Sequence, residues 1–145
     1  MSGKYKPKFP RVAQLKTSEL FAQHLEKENI DLDFDSELIS GADSPFAKAH
    51  TLRSGQKIGN AMCILPMEGW DGTEDGRPTE LTKRRWKNFA LSGAKLLWGC
   101  EAVAVRPEGR ANPNQLMLNA QTFPDFVALF QLLQTTHQEQ FGDPS

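Results

Sequence analysis

The residues best suited to chemistry lie in a polar, glycine-bearing loop at residues 68–78. Its segment Asp71-Gly-Thr-Glu-Asp75-Gly76 begins like the calcium-binding loop of an EF-hand. The twelfth position of such a loop supplies a bidentate carboxylate, but here it is Thr82, and no helix is predicted before the loop. The glycine spacing also matches neither a dinucleotide-binding pattern nor a P-loop. The loop is therefore predicted to bind neither calcium nor a phosphate.

The histidines and cysteines form no recognisable catalytic or metal-binding arrangement. Nothing in the sequence organises His24, His50 and His137 as a catalytic group. Cys63 and Cys100 are far apart, each within an apolar run, and belong to no Cys-x-x-Cys pair or metal-ligand spacing. They are predicted to be reduced core thiols of a cytoplasmic protein, and no metal is expected.

The balance of charge argues against two classes of partner. Lys and Arg number 17 against 18 Asp and Glu, so no long-range field favours nucleic acid or an anionic membrane surface. No apolar run approaches the ~20 residues of a membrane-spanning helix, and no apolar segment follows the basic N-terminus as in a secretory signal. A short basic cluster, Lys83-Arg84-Arg85, is predicted to be the solvated face of a helix.

The first 59 residues are predicted to form a flexible arm, a short helix and a hairpin. Residues 1–16 are rich in Lys and Pro, as in an arm without fixed structure. A capping residue at position 17 or 18 begins a helix that ends near Asn29. Between residues 34 and 59, short apolar pieces alternate with turn residues, which indicates two or three antiparallel strands, with a hairpin across Ser54-Gly55.

A strand, a helix and a second strand follow. Residues 60–66 are a nearly continuous apolar run, typical of a strand covered on both faces. Thr79 is predicted to cap a helix that ends near Gly93, and residues 95–105 form the second buried strand. This order predicts a βαβ unit, with parallel strands and a right-handed crossover. The apolar side of its helix is expected to include Leu81, Trp86 and Phe89.

A last helix is predicted after a capping box at residues 122–125, where Asp125 takes the usual position of Glu. His137 is expected at its frayed end. The alternation of strands and helices requires a further strand, so we expect an incomplete domain whose open sheet edge leads to self-association. Four apolar residues of this helix follow the i, i+3, i+4, i+7 pattern: Phe126, Leu129, Phe130 and Leu133.

Several phrases stand in order along residues 44–140. Ile58-Gly-Asn60 leads into the first strand, which ends in Pro66-Met67, and Ser92-Gly-Ala-Lys-Leu96 precedes the second. The second strand continues as Glu101-Ala-Val-Ala-Val-Arg-Pro-Glu-Gly-Arg110. Together these phrases resemble the Old Yellow Enzyme family of FMN-dependent NAD(P)H:flavin oxidoreductases. Their order makes the resemblance more specific than any one phrase would be.

The resemblance implies cofactor-binding roles at the ends of both strands. Pro66, Met67 and Glu68 fall where the family places strand-one backbone against the flavin, and Ala102 falls where a small residue lets the ring lie close. Trp70 falls where some bacterial members have an aromatic substrate-pocket residue. Glu68 departs from members that carry a flavin-tuning cysteine, and a carboxylate near the ring would disfavour the anionic reduced flavin. The alternative is structural: Pro66 stops a strand, Ala102 packs and Trp70 covers backbone.

The fold implied by the resemblance is α/β, the N-terminal portion of a (β/α)8 TIM barrel, with a β-hairpin and about two βα units in residues 17–145. The implied activity is hydride transfer from NAD(P)H through FMN to an activated alkene, a small-molecule substrate. The family's phosphate and substrate contacts come from later strands, so the chain alone is expected to be inactive, with no catalytic residue of its own. The alternative is a non-catalytic interaction module that buries its open edge against a partner or a second copy.

Overall fold

The structure is a computed structural model and describes residues 9–142. The chain divides into two compact units, with the boundary between Ser40 and Gly41. Residues 1–8 of the predicted arm lie outside the described residues, and the rest of the arm includes a short 3-10 turn at Val12–Gln14. Within residues 9–142, no helix is long and apolar enough to cross a membrane.

The first unit is built around helix α1, Ser18–Glu28. The Thr17 side chain caps α1 by accepting a hydrogen bond from the backbone of its first turn, and Asn29 ends it in the left-handed conformation at φ 54°. Both predicted ends of this helix are confirmed. The rings of Phe21 and Phe34 meet edge to face, with centroids 4.9 Å apart.

The second unit begins with two 3-10 turns, Gly41–Asp43 and Pro45–Ala47, followed by a hairpin. Strands β1 (His50–Thr51) and β2 (Lys57–Ile58) pair antiparallel. Their turn includes Gly55 at φ 87°, a conformation that glycine adopts without a steric penalty. The hairpin predicted across Ser54-Gly55 is confirmed.

The predicted strand–helix–strand unit is present as a parallel pair, but the prediction that its first strand is covered on both faces is wrong, because Cys63 is exposed and Ile64 is only half-buried. Cys63 is therefore not the predicted core thiol, whereas Cys100 is buried. Strand β3 (Cys63–Ile64) and strand β4 (Leu96–Leu97) pair in parallel, and helix α2 (Glu80–Leu91) lies between them in the chain. Asn60 joins the amino ends of the two strands, because its side-chain amide donates to the Gly93 carbonyl at 2.8 Å and its oxygen accepts from the Lys95 amide at 3.1 Å.

The second strand is interrupted by a bulge, so the prediction of one regular strand over residues 95–105 is wrong. After the regular ladder, Met67 pairs with Glu101, and the second strand contains one more residue than the first before this pair. Gly99 and Cys100 lie in the inserted stretch at φ 77° and 56°. A bulge of this kind bends a strand and changes where the following side chains point.

Helix α2 confirms the predicted cap and most of the predicted apolar face, because Trp86 is buried and Phe89 packs against the core, but the prediction is wrong for Leu81. Thr79 accepts a hydrogen bond from the Leu81 amide at 3.2 Å, and Gly93 follows the helix at φ 77°. Leu81 is 54% exposed, whereas Thr82 beside it is fully buried. The Thr82 hydroxyl donates to the Asp71 carbonyl at 3.0 Å, which allows a polar residue to take the inner position.

Helix α3, Phe123–Phe141, begins where predicted but lacks the predicted capping box. Thr122 has helical backbone angles, and its hydroxyl donates to the Met117 carbonyl instead of capping the helix. Asp125 forms an ion pair with Arg77. The capping prediction is therefore wrong, because both side chains bond to the preceding loops.

His137 is fully buried, so the prediction that it lies at a frayed end is also wrong. Its Nδ1 lies 3.0 Å from the Ala90 carbonyl, and its Nε2 lies 2.8 Å from the Lys95 ammonium. The Phe141 ring follows one turn later, 4.7 Å from the imidazole. These contacts keep the end of α3 against α2 and the start of β4.

The core of the second unit lies between α2, α3 and the bulged strand. Leu129 and Leu133 of α3 are buried as their spacing predicts, whereas Phe130 is 54% exposed. The buried cluster consists of Trp86, Ala90, Cys100, Leu116, Leu129 and Leu133.

Candidate functional site

The carboxyl ends of the two parallel strands bring three of the predicted site residues together. Met67 pairs with Glu101, and the Ala102 amide donates to the Met67 carbonyl at 3.2 Å. Pro66 precedes Met67 at the end of the first strand. Strand carboxyl ends are where barrel enzymes build their sites. We call Pro66, Met67 and Ala102 the strand-end surface.

The strand-end surface is open to solvent. Pro66 and Ala102 are exposed, and Met67 is 53% exposed. Trp70, in the loop beyond, is 69% exposed, and no hydrogen bond or ring contact joins it to the strand-end surface within the described residues. The structure therefore brings Pro66, Met67 and Ala102 together and leaves Trp70 as a separate exposed ring.

A hydrogen bond from an asparagine restricts the rotation of the Glu68 side chain. The buried Asn112 side-chain amide donates to Glu68 Oε1 at 2.8 Å and to the Gly69 carbonyl at 3.2 Å. The orientation of this carboxylate, the point at which the sequence departs from the resemblance, is therefore set by the loop that follows the second strand.

Arg85 of α2 lies between two carboxylates next to the strand-end surface. Its Nε and one terminal nitrogen donate to the two oxygens of Asp71, at 3.0 and 2.7 Å. Its other terminal nitrogen forms an ion pair with Glu101 Oε1, which also accepts from the Trp86 indole at 3.1 Å. The Glu101 side chain is 1% exposed, against 18% for Arg85 and 20% for Asp71.

The pKa values of the two carboxyl groups in this network are shifted in opposite directions. Hydrogen bonds from Arg85 hold the pKa of Asp71 below its usual range, although burial opposes this. Burial raises the pKa of Glu101, although the bonds from Arg85 and Trp86 oppose the rise. Glu101 Oε2 is buried and has no hydrogen-bond partner among the described residues. The network thus contains one carboxylate, Asp71, whose charged form Arg85 stabilises, and one, Glu101, whose charged form is disfavoured by burial.

The bulge explains why Glu101 is inside. Cys100 and Glu101 are consecutive and both buried, whereas a regular strand sends neighbouring side chains to opposite faces. Burial, and next the charge of Glu101, raise the pKa of the Cys100 thiol to about 11. This thiol is therefore protonated at neutral pH and is no nucleophile.

The loops beyond the two strands are tied to each other. The Gly72 amide donates to the Asn114 carbonyl at 3.0 Å, and Ala104 pairs in parallel with Met117. Arg110, the last residue of the phrase that begins at Glu101, acts as a clamp rather than as a ligand-binding cation. It donates at 2.6–3.1 Å to three loop carbonyls, those of Thr73, Glu74 and Gln115.

The aspartates of the loop at residues 68–78 are paired with arginines. Asp71 is bound by Arg85, and Asp75 accepts from Arg77 at 2.9 Å. Within residues 9–142, no group of three or more His, Cys, Asp or Glu is arranged to hold a metal ion. Asp71 and Asp75 are thus both engaged in ion pairs with arginines.

Sequence reasoning missed Arg85, because the cluster Lys83-Arg84-Arg85 was predicted to be solvated. The prediction is wrong for Arg85, whose side chain is 18% exposed, but it describes the exposed Lys83 and Arg84. A usable signal was present, since Asp71 and Glu101 follow the carboxyl ends of two adjacent strands and need a shared cation if buried.

The chain matches no protein-family model, and no curated protein is similar enough to it to count as a match.

Proposed function

We propose that this chain contributes the N-terminal part of a (β/α)8 barrel to an FMN-dependent NAD(P)H oxidoreductase that reduces an activated alkene. The observation that carries the proposal is the meeting of Met67 and Ala102 at the carboxyl ends of parallel strands. When bound, FMN supplies the hydride chemistry, accepting from NAD(P)H and passing the hydride to the alkene.

The strand-end surface fits one face of a flat aromatic ring. Ala102 has a small, exposed side chain, so a ring can approach the strand backbone closely. Pro66 and Met67 add apolar area beside it. Removing such area from water is favourable by about 25 cal/mol per Å² before the entropic costs of binding are subtracted. One carboxylate oxygen of Glu68, Oε1, is already bonded to Asn112.

Trp70 is assigned to the substrate side of the site. Its ring is 69% exposed and follows Gly69, so it can form one wall of a pocket for a small alkene. We assign no described residue to the flavin phosphate, because the family that the sequence resembles takes its phosphate contacts from later strands. Arg77, Arg85 and Arg110 are in addition bonded within the protein. The chain by itself is therefore expected to be inactive. A cytoplasmic location is part of the proposal, and the free cysteines support it.

A titration with lumiflavin, which has the flavin ring but no phosphate, tests the proposal. We expect amide shifts in an NMR spectrum at Met67 and Ala102 and at the Trp70 indole. The dissociation constant should be on the order of 1 mM, because one wall covers far less of the ring than a complete pocket does. FMN should bind about as weakly as lumiflavin.

Matched variants make the titration specific. Ala102→Leu should abolish the shifts at Met67, because the larger side chain occupies the ring position. Ala120→Leu, the same change at another exposed site, should leave them intact. Absence of any shift in the wild type overturns the flavin assignment, and tight stoichiometric binding contradicts a single-walled site.

A second candidate function is a non-catalytic interaction module, favoured by an open cavity of mixed polar and apolar lining beside β4. The cavity has a volume of about 330 Å³, and Leu96, Leu97, Phe130 and Leu133 contribute to its lining. In this proposal a second copy of the chain covers the cavity and the neighbouring strand edge. Sedimentation equilibrium tests the module, because a monomer at high concentration rejects it. A dimer that Phe130→Glu dissociates supports the module only where the lumiflavin shifts are absent, since the open edge of an incomplete barrel is also expected to self-associate.

A further inference from the structure

We propose that Arg85 is the positioning residue of the strand-end surface, and that it acts through Asp71 and Glu101. The inference rests on the flavin-binding function proposed above and assigns to α2 a part in shaping the flavin contact. Arg85 itself lies outside the strand-end surface, and the proposal gives it no contact with a flavin or a substrate.

The two carboxylates are adjacent in sequence to the residues assigned to the site. Asp71 directly follows Trp70, and Glu101 directly precedes Ala102. A single guanidinium binds both carboxylates, with two hydrogen bonds to Asp71 and an ion pair to Glu101. The position of Arg85 therefore fixes the loop after the first strand relative to the end of the second.

The backbone alone provides a weak connection at this point. The bulge interrupts the ladder at Gly99 and Cys100, and beyond it the Ala102 amide bonds to the Met67 carbonyl at 3.2 Å, the upper end of the usual range. A side-chain tie across the same gap is therefore positioned to control the separation of Met67 and Ala102.

The geometry of the tie requires the planar fork of arginine. Three nitrogens of the guanidinium point to two different carboxylates, and two of them match the oxygens of Asp71 at 3.0 and 2.7 Å. A lysine ammonium carries the same charge on one nitrogen and cannot span both partners in this way. The conservative replacement Arg85→Lys therefore separates charge from geometry.

Gly69 leaves room for the guanidinium of Arg85. A Cβ at position 69 would lie 2.5 Å from Arg85 and 3.2 Å from the unpaired oxygen of Glu101. The absence of a side chain lets the guanidinium lie against the loop backbone. The same loop is held from its other side by Asn112, which donates to the Gly69 carbonyl. The loop is thus fitted around the Arg85 network.

Amide hydrogen exchange on the full chain without flavin tests the positioning directly. In Arg85→Lys and in Asp71→Asn, we expect exchange of the Ala102 amide to accelerate about tenfold, while the Leu129 and Leu133 amides of α3 keep their rates. Asp71→Asn removes one arm of the tie but leaves the buried Glu101 paired, so this variant stays folded. Arg84→Lys, the matched change at the exposed neighbouring position, should alter none of these rates.

The outcomes separate positioning from general stabilisation and from the proposed function. Equal acceleration at Ala102 and in α3, or a wild-type rate at Ala102 in both variants, overturns the positioning role. A wild-type pattern in Arg85→Lys alone shows that charge suffices and overturns the role of the fork. The lumiflavin shifts of the wild type decide the flavin function separately. If they occur, Arg85→Lys should weaken lumiflavin binding at least threefold.

Discussion

The two ends of the β3–β4 pair both contain a half-buried basic side chain, but they use it differently. At the carboxyl end, Arg85 binds two carboxylates and leaves one oxygen of Glu101 without a partner among the described residues. At the amino end, Lys95 donates to His137 Nε2. Because the Ala90 carbonyl can only accept, His137 Nδ1 carries a proton, and both nitrogens of the neutral ring are satisfied within the protein.

The two ends also differ in how far they are exposed to solvent. The carboxyl end presents an exposed Met67 and Ala102 beside its network, whereas the amino end is covered by Phe141 over a fully buried imidazole. Under the proposed function, ligand contact belongs to the carboxyl end and stability to the amino end. This is the division of labour expected of parallel strands in an α/β barrel.

The largest expected effect comes from breaking the carboxyl-end network. Arg85→Met leaves Glu101 buried with no cation, and we expect the free energy of unfolding to fall by about 3–5 kcal/mol. Urea denaturation at pH 7 measures this loss. The double variant Arg85→Met with Glu101→Leu should recover more than half of it, because the buried charge is then removed as well. Strictly additive losses in the two single variants and the double variant would contradict a coupled network.

The next largest effect should occur at the amino end without reaching the strand-end surface. His137→Leu removes the donor of the Ala90 carbonyl and the acceptor of Lys95, at a cost of about 2–3 kcal/mol. Thr135→Ala, an exposed position of the same helix, is the control and should stay near the wild type. The lumiflavin shifts at Met67 should persist in His137→Leu. Their loss would show that the two ends are not independent.

Much of the fold follows from local signals in the sequence. Thr17 and Thr79 have the side chains that cap a helix, and Gly55 permits a tight turn, so these boundaries are correct as predicted. The apolar runs also predict the parallel pairing of β3 with β4. The bulge was missed because it depends on how the second strand meets Met67, and the sequence around Cys100 does not reveal this contact.

The candidate site was predicted less completely than the fold. The residues at the strand ends were selected by resemblance, and the structure brings Met67 and Ala102 into contact. Arg85 was missed because a basic residue in a charged helix segment is usually solvated. Its burial depends on two carboxylates that are far away in sequence, and no periodicity within the helix can reveal such partners.

A smaller effect should follow from placing a methyl group inside the network. In Gly69→Ala, the new Cβ displaces Arg85 from its position against the loop, and we expect a loss of about 1–3 kcal/mol in unfolding free energy. Gly109→Ala is the matched control, since a Cβ there meets no atom within 4 Å. Thermal unfolding of both variants measures the difference. Equal stability of the two would mean that the fork of Arg85 moves aside without cost.

The smallest effect is the pH dependence, because the two carboxylates act in opposite directions. The stabilisation from Asp71, whose pKa is lowered in the folded protein by Arg85, is complete above the ordinary value of 3.8 and is lost as the pH falls through the lowered value. Burial raises the pKa of Glu101, so the folded state binds its proton more tightly than the unfolded state. The contribution of Glu101 therefore decreases as the pH rises from the ordinary value of 4.5 through the raised one. Together the two groups give a shallow maximum of stability between pH 3.8 and 4.5.

Urea midpoints from pH 3 to pH 7 should show that Glu101→Gln removes the decrease on the alkaline side, while Asp71→Asn removes part of the decrease on the acid side. If the profile of Glu101→Gln parallels that of the wild type, the carboxylate of Glu101 is not strained by burial, and the contrast between the two ends of the strand pair loses its electrostatic basis.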